Sequence, residues 1–180
     1  MPIVGKPGRK KLTGKALQSA LKKIKLVVFD IDGVMTDGSM FYVEGTGWGA
    51  HYNVIDGFGI KLLQRAGYEI GVISGGSFLS HKKRAESLQI KHAYFGDENK
   101  LHAFAKILAD VGVTRDECAY MGDELFDIPV LQQVGFAATP PHAPATVKSS
   151  AHYVTKKPGG FGAVREVCEL LLATKPAKKP

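Results

Sequence analysis

A doubly wound, Rossmann-like α/β fold around a parallel sheet, with a short β-hairpin flap after its first strand, is what this sequence predicts. Three observations carry that expectation. Short apolar runs rich in β-formers recur along the chain, helical patterns separate them, and the one break in the alternation has hairpin chemistry. The first strand is read at 25–30 (KLVVFD), and the segment after it, 38–54 (GSMFYVEGTGWGAHYNV), has two β-rich arms around a Gly-Thr-Gly centre. A helix at 60–67 leads to a strand at 68–74, and a helix at 77–89 to a strand at 92–96. In the next helix, 100–112, Leu101, Phe104, Ala105, Leu108 and Val111 fall at helical spacing and Gly112 is placed to stop it. Strands at 117–123, 135–139 and 152–155 follow, separated by helices at 124–135 and 143–150, and a helix at 163–173 closes the fold.

The 180 residues are 44% hydrophobic, enough to bury one sizeable core, so a single folded domain is expected over 25–173, with the flap at 38–54 inside it. A basic, partly helical extension at 1–24 precedes it and a basic tail at 174–180 follows. The net charge of +7 invites a nucleic-acid partner, but its distribution argues against one. Residues 1–25 hold eight Lys or Arg and 173–180 hold three Lys, with no acid in either; between them 13 basic residues face 17 acidic ones. The folded part is mildly acidic, and no stacking aromatics are interleaved with the basic ends. Residues 1–13 read as a mobile arm with no part in chemistry. No apolar run reaches the ~20 residues that span a membrane, and none behind the basic N-terminus suits a signal peptide. Cys118 and Cys168 lack framework spacing and read as reduced thiols in a cytoplasmic protein.

The stretch 26–38 (LVVFDIDGVMTDG) delivers two carboxylates to one spot. Asp30 ends the first strand and Asp32 lies two residues on, where the extended period points both the same way. In open parallel sheets ligands bind beyond the carboxyl ends of the strands. Paired carboxylates repel unless a cation sits between them, and a hard divalent ion such as Mg²⁺ suits oxygen ligands. Gly33 then lets the backbone approach a ligand closely. Other strand ends carry Ser74 followed by Gly75 and Gly76, Lys100, and the group Asp123, Glu124 and Asp127. Ser74 suits an anion donor or a helix N-cap; Lys100 suits an anion site or a solvated surface.

The order Asp-x-Asp-Gly, Ser-Gly, Lys, Gly-Asp-x-x-x-Asp resembles the haloacid dehalogenase superfamily of phosphohydrolases. The match narrows to the 3-deoxy-D-manno-octulosonate 8-phosphate phosphatases and their sialic-acid phosphate relatives. It is carried by FDIDGVMTDG, NVIDGFGIKLL, VISGG, NKLHAF, AYMGDELFDIPVL and YVTKKPGGFGAVREVCELLL, and covers roughly residues 25–172. The resemblance implies a phosphatase of lipopolysaccharide precursor synthesis, acting on a sugar phosphate. It implies Asp30 as nucleophile, Asp32 as general acid and base, and Mg²⁺ held by Asp30, the backbone carbonyl of Asp32, and Asp123. Ser74 and Lys100 would bind phosphoryl oxygens, and Asp127 would support Lys100 or the metal. Substrate contacts would come from Asp32, Gly33, Asn53, Asp56, Gly57, Lys61, Gly75, Gly76, Arg84 and Lys100. The family is typically a homotetramer assembled through its hairpins, with C-terminal segments near neighbouring sites. Three basic residues common in the family are replaced here by Ile55, Gly76 and Phe161, and Glu124 replaces a second Asp.

Overall fold

The structure is a computed structural model and describes residues 8–175. In chain order the elements are α1 (Gly14–Lys23), β1 (Leu26–Phe29), β2 (Phe41–Val43), β3 (Gly47–Gly49), α2 (Val54–Arg65), β4 (Glu69–Ser74) and α3 (Leu79–Ser87). They continue as β5 (His92–Phe95), α4 (Lys100–Val111), β6 (Cys118–Met121), α5 (Ile128–Leu131), β7 (Phe136–Thr139), α6 (Ala145–Ser150), β8 (Tyr153–Val154) and α7 (Ala163–Leu172). Six strands form one parallel sheet in the order β5-β4-β1-β6-β7-β8, and β2 with β3 makes a separate antiparallel pair.

The pleat of β1 assigns its side chains to two cores. Val27 and Phe29 pack with Leu21 of α1, Ile60 and Leu63 of α2, Ala85 of α3, and Val164, Val167 and Leu171 of α7. Leu26 and Val28 pack with Phe104 and Ile107 of α4, Val130 and Leu131 of α5, and Val147 of α6. All four residues of β1 are buried, as a central parallel strand covered on both faces requires. Cys168 and Cys118 are free thiols, one in each of these cores, so the sheet separates them.

Three expected boundaries shift. Helix α2 begins at Val54 rather than at residue 60, because Asn53 Oδ1 accepts from the backbone N–H groups of Ile55 (2.8 Å) and Asp56 (3.3 Å). Its first six residues include two β-branched residues and two glycines, poor helix formers in isolation. Gly59 serves packing: a Cβ there would press on Arg165 Cδ at 3.0 Å and Cys168 Sγ at 3.2 Å, so α2 and α7 approach closely. The segment read as a helix at 124–135 is a 3₁₀ turn, Leu125–Asp127, followed by one turn of α5. The hairpin is shorter than 38–54, with Tyr42 opposite Trp48 at its centre. Helix α4 ends as expected, at Gly112 in the left-handed region (φ +73°).

The chain before α1 is docked rather than loose over residues 9–12. Arg9 N–H donates to the Ser149 carbonyl (2.7 Å), Leu12 N–H to the His152 carbonyl (3.1 Å), and the Arg9 guanidinium to the Leu131 carbonyl. The rest of the expected mobile arm, residues 1–7, and the end of the basic tail, 176–180, lie outside the described residues. Among the described residues no helix is long and apolar enough to cross a membrane.

Candidate active site

The chain leaves β1 toward β4 and leaves β6 toward β7, so connections diverge between two neighbouring strands. The crevice beyond such a divergence is where open α/β sheets bind ligands. Asp30 follows β1 there, its N–H donating to the Met121 carbonyl (2.9 Å), and Asp123 follows β6. After Asp30 the chain turns tightly: the N–H groups of Val34 (3.2 Å), Met35 (2.9 Å) and Thr36 (3.0 Å) converge on the Ile31 carbonyl. Gly33 is in the left-handed region (φ +77°), and a Cβ there would overlap the Asp123 carboxylate. Glycine at 33 is thus what lets the two strand ends meet.

Lys100 lies under the crevice, 1% exposed. Its Nζ is 2.8 Å from Asp30 Oδ2 and 2.7 Å from Asp127 Oδ1, and 4.5 Å from the centre of the Phe126 ring. The solvated-surface reading of Lys100 is thereby removed. Asp127 is saturated: Oδ1 also accepts from the Tyr120 hydroxyl (2.6 Å), and Oδ2 accepts from the N–H groups of Asp123 (3.0 Å) and Glu124 (2.9 Å). Four donors leave it little capacity to bind anything else, so it anchors Lys100. Tyr120 went unseen in the sequence because a tyrosine in an apolar strand reads as core. His142, 3.5 Å from Asp123 Oδ2, was missed likewise, with no motif to mark it.

Burial, then the charge of Asp127, pushes the Asp30 carboxyl well above the ordinary range, opposed by Lys100. Burial tends to lower Lys100, but Asp30 and Asp127 outweigh it and hold the ammonium above its usual value. Asp123 is pushed up to about 7 by burial and by Asp127. Asp30, Asp123 and Asp127 bring carboxylate oxygens within 4.8 Å of one another, and the buried Asp123 Oδ1 has no hydrogen-bond partner. Three carboxylates against one ammonium leave two negative charges over. An all-oxygen donor set with that surplus and an unused buried acceptor fits Mg²⁺. With Asp127 saturated, Asp30 and Asp123 are the side chains free to hold it.

A pH-dependent consequence follows. Without metal, Asp123 titrates near 7 in the folded protein against 3.8 ordinarily, so the native state holds more protons between those values. Stability of the metal-free protein should therefore fall as pH rises through that window. Mg²⁺ competes with the proton, so its stabilising effect should be larger at about pH 8 than at about pH 6. Thermal unfolding with chelator and with Mg²⁺ at both pH values measures this; equal shifts would refute the assignment.

A second cluster adjoins the first. Ser74, at the end of β4, donates its hydroxyl to Asp32 Oδ2 (3.2 Å) and accepts from Gly76 N–H (3.1 Å). The His81 ring, from α3, places Nε2 3.2 Å from Asp32 Oδ1. Burial tends to raise the Asp32 carboxyl, but His81, Ser74 and Lys100 outweigh it and hold it below the usual range. Gly76 faces this corner: a Cβ there would lie 3.0 Å from His81 Cε1 and 3.2 Å from Asp32 Oδ2. Beside it, a Cβ on Gly75 would lie 3.3 Å from Glu98 Cγ. His81 had no signal in the sequence beyond a polar letter inside a helix.

The remaining expected substrate contacts come from α2, its N-cap and α3, and three of them have structural work. Asp56, 1% exposed, accepts the N–H groups of Gly162 (3.2 Å) and Arg165 (2.7 Å) and so caps α7. Asn53 caps α2 and donates to the Gly160 carbonyl (3.0 Å). Arg84 donates to the Asn53 carbonyl (2.9 Å) with its guanidinium 5.4 Å from the Tyr52 ring centre, in space that only a glycine at 57 leaves free. Lys61 is exposed on α2. Ile55 and Phe161 both line a groove of ≈ 600 Å³ beside α7.

Comparison with known proteins matches residues 94–166 to the haloacid dehalogenase-like hydrolase family. The 3-deoxy-D-manno-octulosonate 8-phosphate phosphatase of Yersinia pestis is 40% identical over 150 residues, 83% of this chain and 80% of that one. The enzyme of the same name from Escherichia coli K12 is 37% identical over 151 residues, covering 84% and 80%. Among solved structures, the Moraxella catarrhalis 3-deoxy-D-manno-octulosonate 8-phosphate phosphatase, in complex with magnesium, phosphate and KDO, superposes with a TM-score of 0.85 at 34% identity. That superposition covers 88% of this chain and 91% of the other.

Proposed function

This chain belongs to the 3-deoxy-D-manno-octulosonate 8-phosphate phosphatase family of haloacid dehalogenase-like hydrolases, and from that premise we propose that it hydrolyses that sugar phosphate to 3-deoxy-D-manno-octulosonate and phosphate. The observation that carries this reading is the buried chain Asp30–Lys100–Asp127 beside the clamped carboxylate of Asp32. An Asp30 oxygen attacks phosphorus as the bond to the sugar oxygen breaks, and the departing oxygen takes a proton from Asp32. Asp32 then removes a proton from a water that attacks the aspartyl-phosphate, releasing phosphate and restoring the Asp30 carboxylate. The dianionic phosphate entering beside Asp32 raises its proton affinity, which suits it to start as an acid. Lys100 and Ser74 donate to phosphoryl oxygens, positioned charge being the main source of rate in phosphoryl transfer. Bound through Asp30, Asp123 and the Asp32 carbonyl, Mg²⁺ would supply the charge that screens the phosphate from the nucleophile.

A second reading, a phosphatase for another sugar phosphate such as a nine-carbon sugar acid 9-phosphate or a less anionic sugar phosphate, has one feature that favours its less anionic form. Ile55 and Phe161 put apolar side chains into the groove beside α7, where Lys156, Lys157 and Arg165 remain as cations, and Gly76 brings no cation of its own to the Asp32 corner. Phosphate release across a panel of esters decides between them through kcat/KM. The 8-phosphate should lead; preference for a nine-carbon or an uncarboxylated sugar phosphate would sustain the second reading instead.

The working unit in this proposal is a homotetramer in the cytoplasm, supplying lipopolysaccharide precursor synthesis. The hairpin exposes Met40, Phe41, Tyr42, Val43 and Trp48, and Val54, Ile55, Phe58 and Phe161 are exposed too. A lone hairpin is marginal in water, and such apolar surface needs cover. Tyr52, near the end of the 38–54 segment, packs against its own chain instead. Exchange of Tyr42 and Trp48 for glutamate should lower the mass in solution; a wild-type monomer at micromolar concentration would refute the assembly. Two free, buried cysteines suit a reducing compartment, and fractionation placing the protein elsewhere would refute that location.

A further inference from the structure

We propose that His81 is a positioning residue that holds the Asp32 carboxylate in place while the leaving group departs; this rests on the reading of Asp32 as acid and base. His81 is fully buried, which is unusual for a histidine outside any motif. Its Nε2 has no aligned hydrogen-bond partner in the protein and lies 3.2 Å from Asp32 Oδ1. The ring is fixed by a T-shaped contact with Phe78, centres 5.0 Å apart, and its Nδ1 is 3.5 Å from Ser74 Oγ. No side chain intervenes at 76, where a Cβ would meet both the ring and Asp32.

A single proton decides which groups can hold Asp32. Without substrate, Asp32 Oδ2 accepts from the Ser74 hydroxyl, and its Oδ1 lies 3.2 Å from the His81 ring nitrogen. A serine has one hydroxyl hydrogen, so it cannot donate to Asp32 and to a phosphoryl oxygen together. Once Ser74 turns to the phosphate, His81 is the remaining side-chain partner of Asp32. Asp32, whose side chain is 37% exposed, would otherwise be free to swing toward solvent. Orientation of that kind is worth large factors when a proton must move as a bond breaks.

The test compares two leaving groups. A sugar alkoxide needs a proton as it departs, whereas 4-nitrophenolate does not. His81→Leu fills the buried space without a donor, and His81→Gln restores an N–H near the Nε2 position. His81→Leu should lose roughly ten- to a hundredfold in kcat/KM for 3-deoxy-D-manno-octulosonate 8-phosphate, and about twofold or less for 4-nitrophenyl phosphate. His81→Gln should recover most of that loss. The ratio of the two kcat/KM values in one preparation cancels any difference in the fraction folded. Equal losses on both substrates, no loss on either, or a Gln variant as selective as the Leu variant would overturn the proposal. Asp32→Asn run alongside separates the two levels. If it shows the leaving-group selectivity and His81→Leu does not, only the role of His81 falls; if Asp32→Asn shows none, the acid–base reading falls with it.

Discussion

Asp30→Asn is expected to abolish phosphate release, lowering kcat by a factor on the order of 10⁴ or more. An amide of nearly the same shape cannot act as the nucleophile, so the covalent step has no substitute within the chain. Asp123 is held by the Asp127-bound turn on β6, and Asp32 is turned toward Ser74 and His81. The fold should survive. Asp30 is 2% exposed and its carboxyl is pushed upward mainly by burial, so removing its charge relieves a cost of desolvation even as it weakens the bond to Lys100. Activity near the wild-type rate in a folded Asp30→Asn protein would end the assignment. Loss of activity together with unfolding would leave the same question to Asp30→Glu, which keeps the charge but misplaces the oxygen and should also be crippled.

Lys100→Met is expected to damage stability and activity together. Two carboxylates, Asp30 and Asp127, would be left buried without their ammonium, and losing one partner of a buried pair typically costs about 3–5 kcal/mol. The loss has a pH signature. Without Lys100 the Asp30 carboxyl, already raised by burial and by Asp127, loses the group that opposes that rise, so the native state takes up protons and stability declines as pH rises. The deficit should be larger at about pH 8 than at about pH 6, measured by urea unfolding. Adding Asp127→Asn to Lys100→Met removes one stranded charge and should recover part of the stability, but not the activity, since nothing then binds the phosphoryl oxygens from below. A Lys100→Met protein that is both stable and active would show that Lys100 is dispensable.

The haloacid dehalogenase-like chemistry was legible because its chemical groups sit at strand ends, where local pattern and chain order suffice. Apolar β-rich runs followed by Asp30, Ser74, Lys100 and Asp123 are visible one letter at a time. A parallel sheet then has little choice but to bring their carboxyl ends to one edge. The pleat of β1 puts Val27 and Phe29 on one core and Leu26 and Val28 on the other, as a strand period of two requires. Helix α2 was only half legible, since Gly57 and Gly59 lower helix propensity for reasons that belong to Arg84 and α7, elements far along the chain.

What tertiary structure alone decided is which polar residues are partners and which are scaffolding. Asp56 and Asn53 have the letters of a binding site, yet their oxygens are taken by backbone N–H groups at the starts of α7 and α2. His81 and Tyr120 have the letters of a helix surface and a core strand, yet they touch Asp32 and Asp127. A side chain's hydrogen-bonding capacity is set by its residue type, but whether that capacity is spent locally or left for a ligand depends on what the fold brings within about 3 Å of it. Order along the chain therefore determined the sheet and the chemistry at its edge, and only packing decided which groups remain free to act.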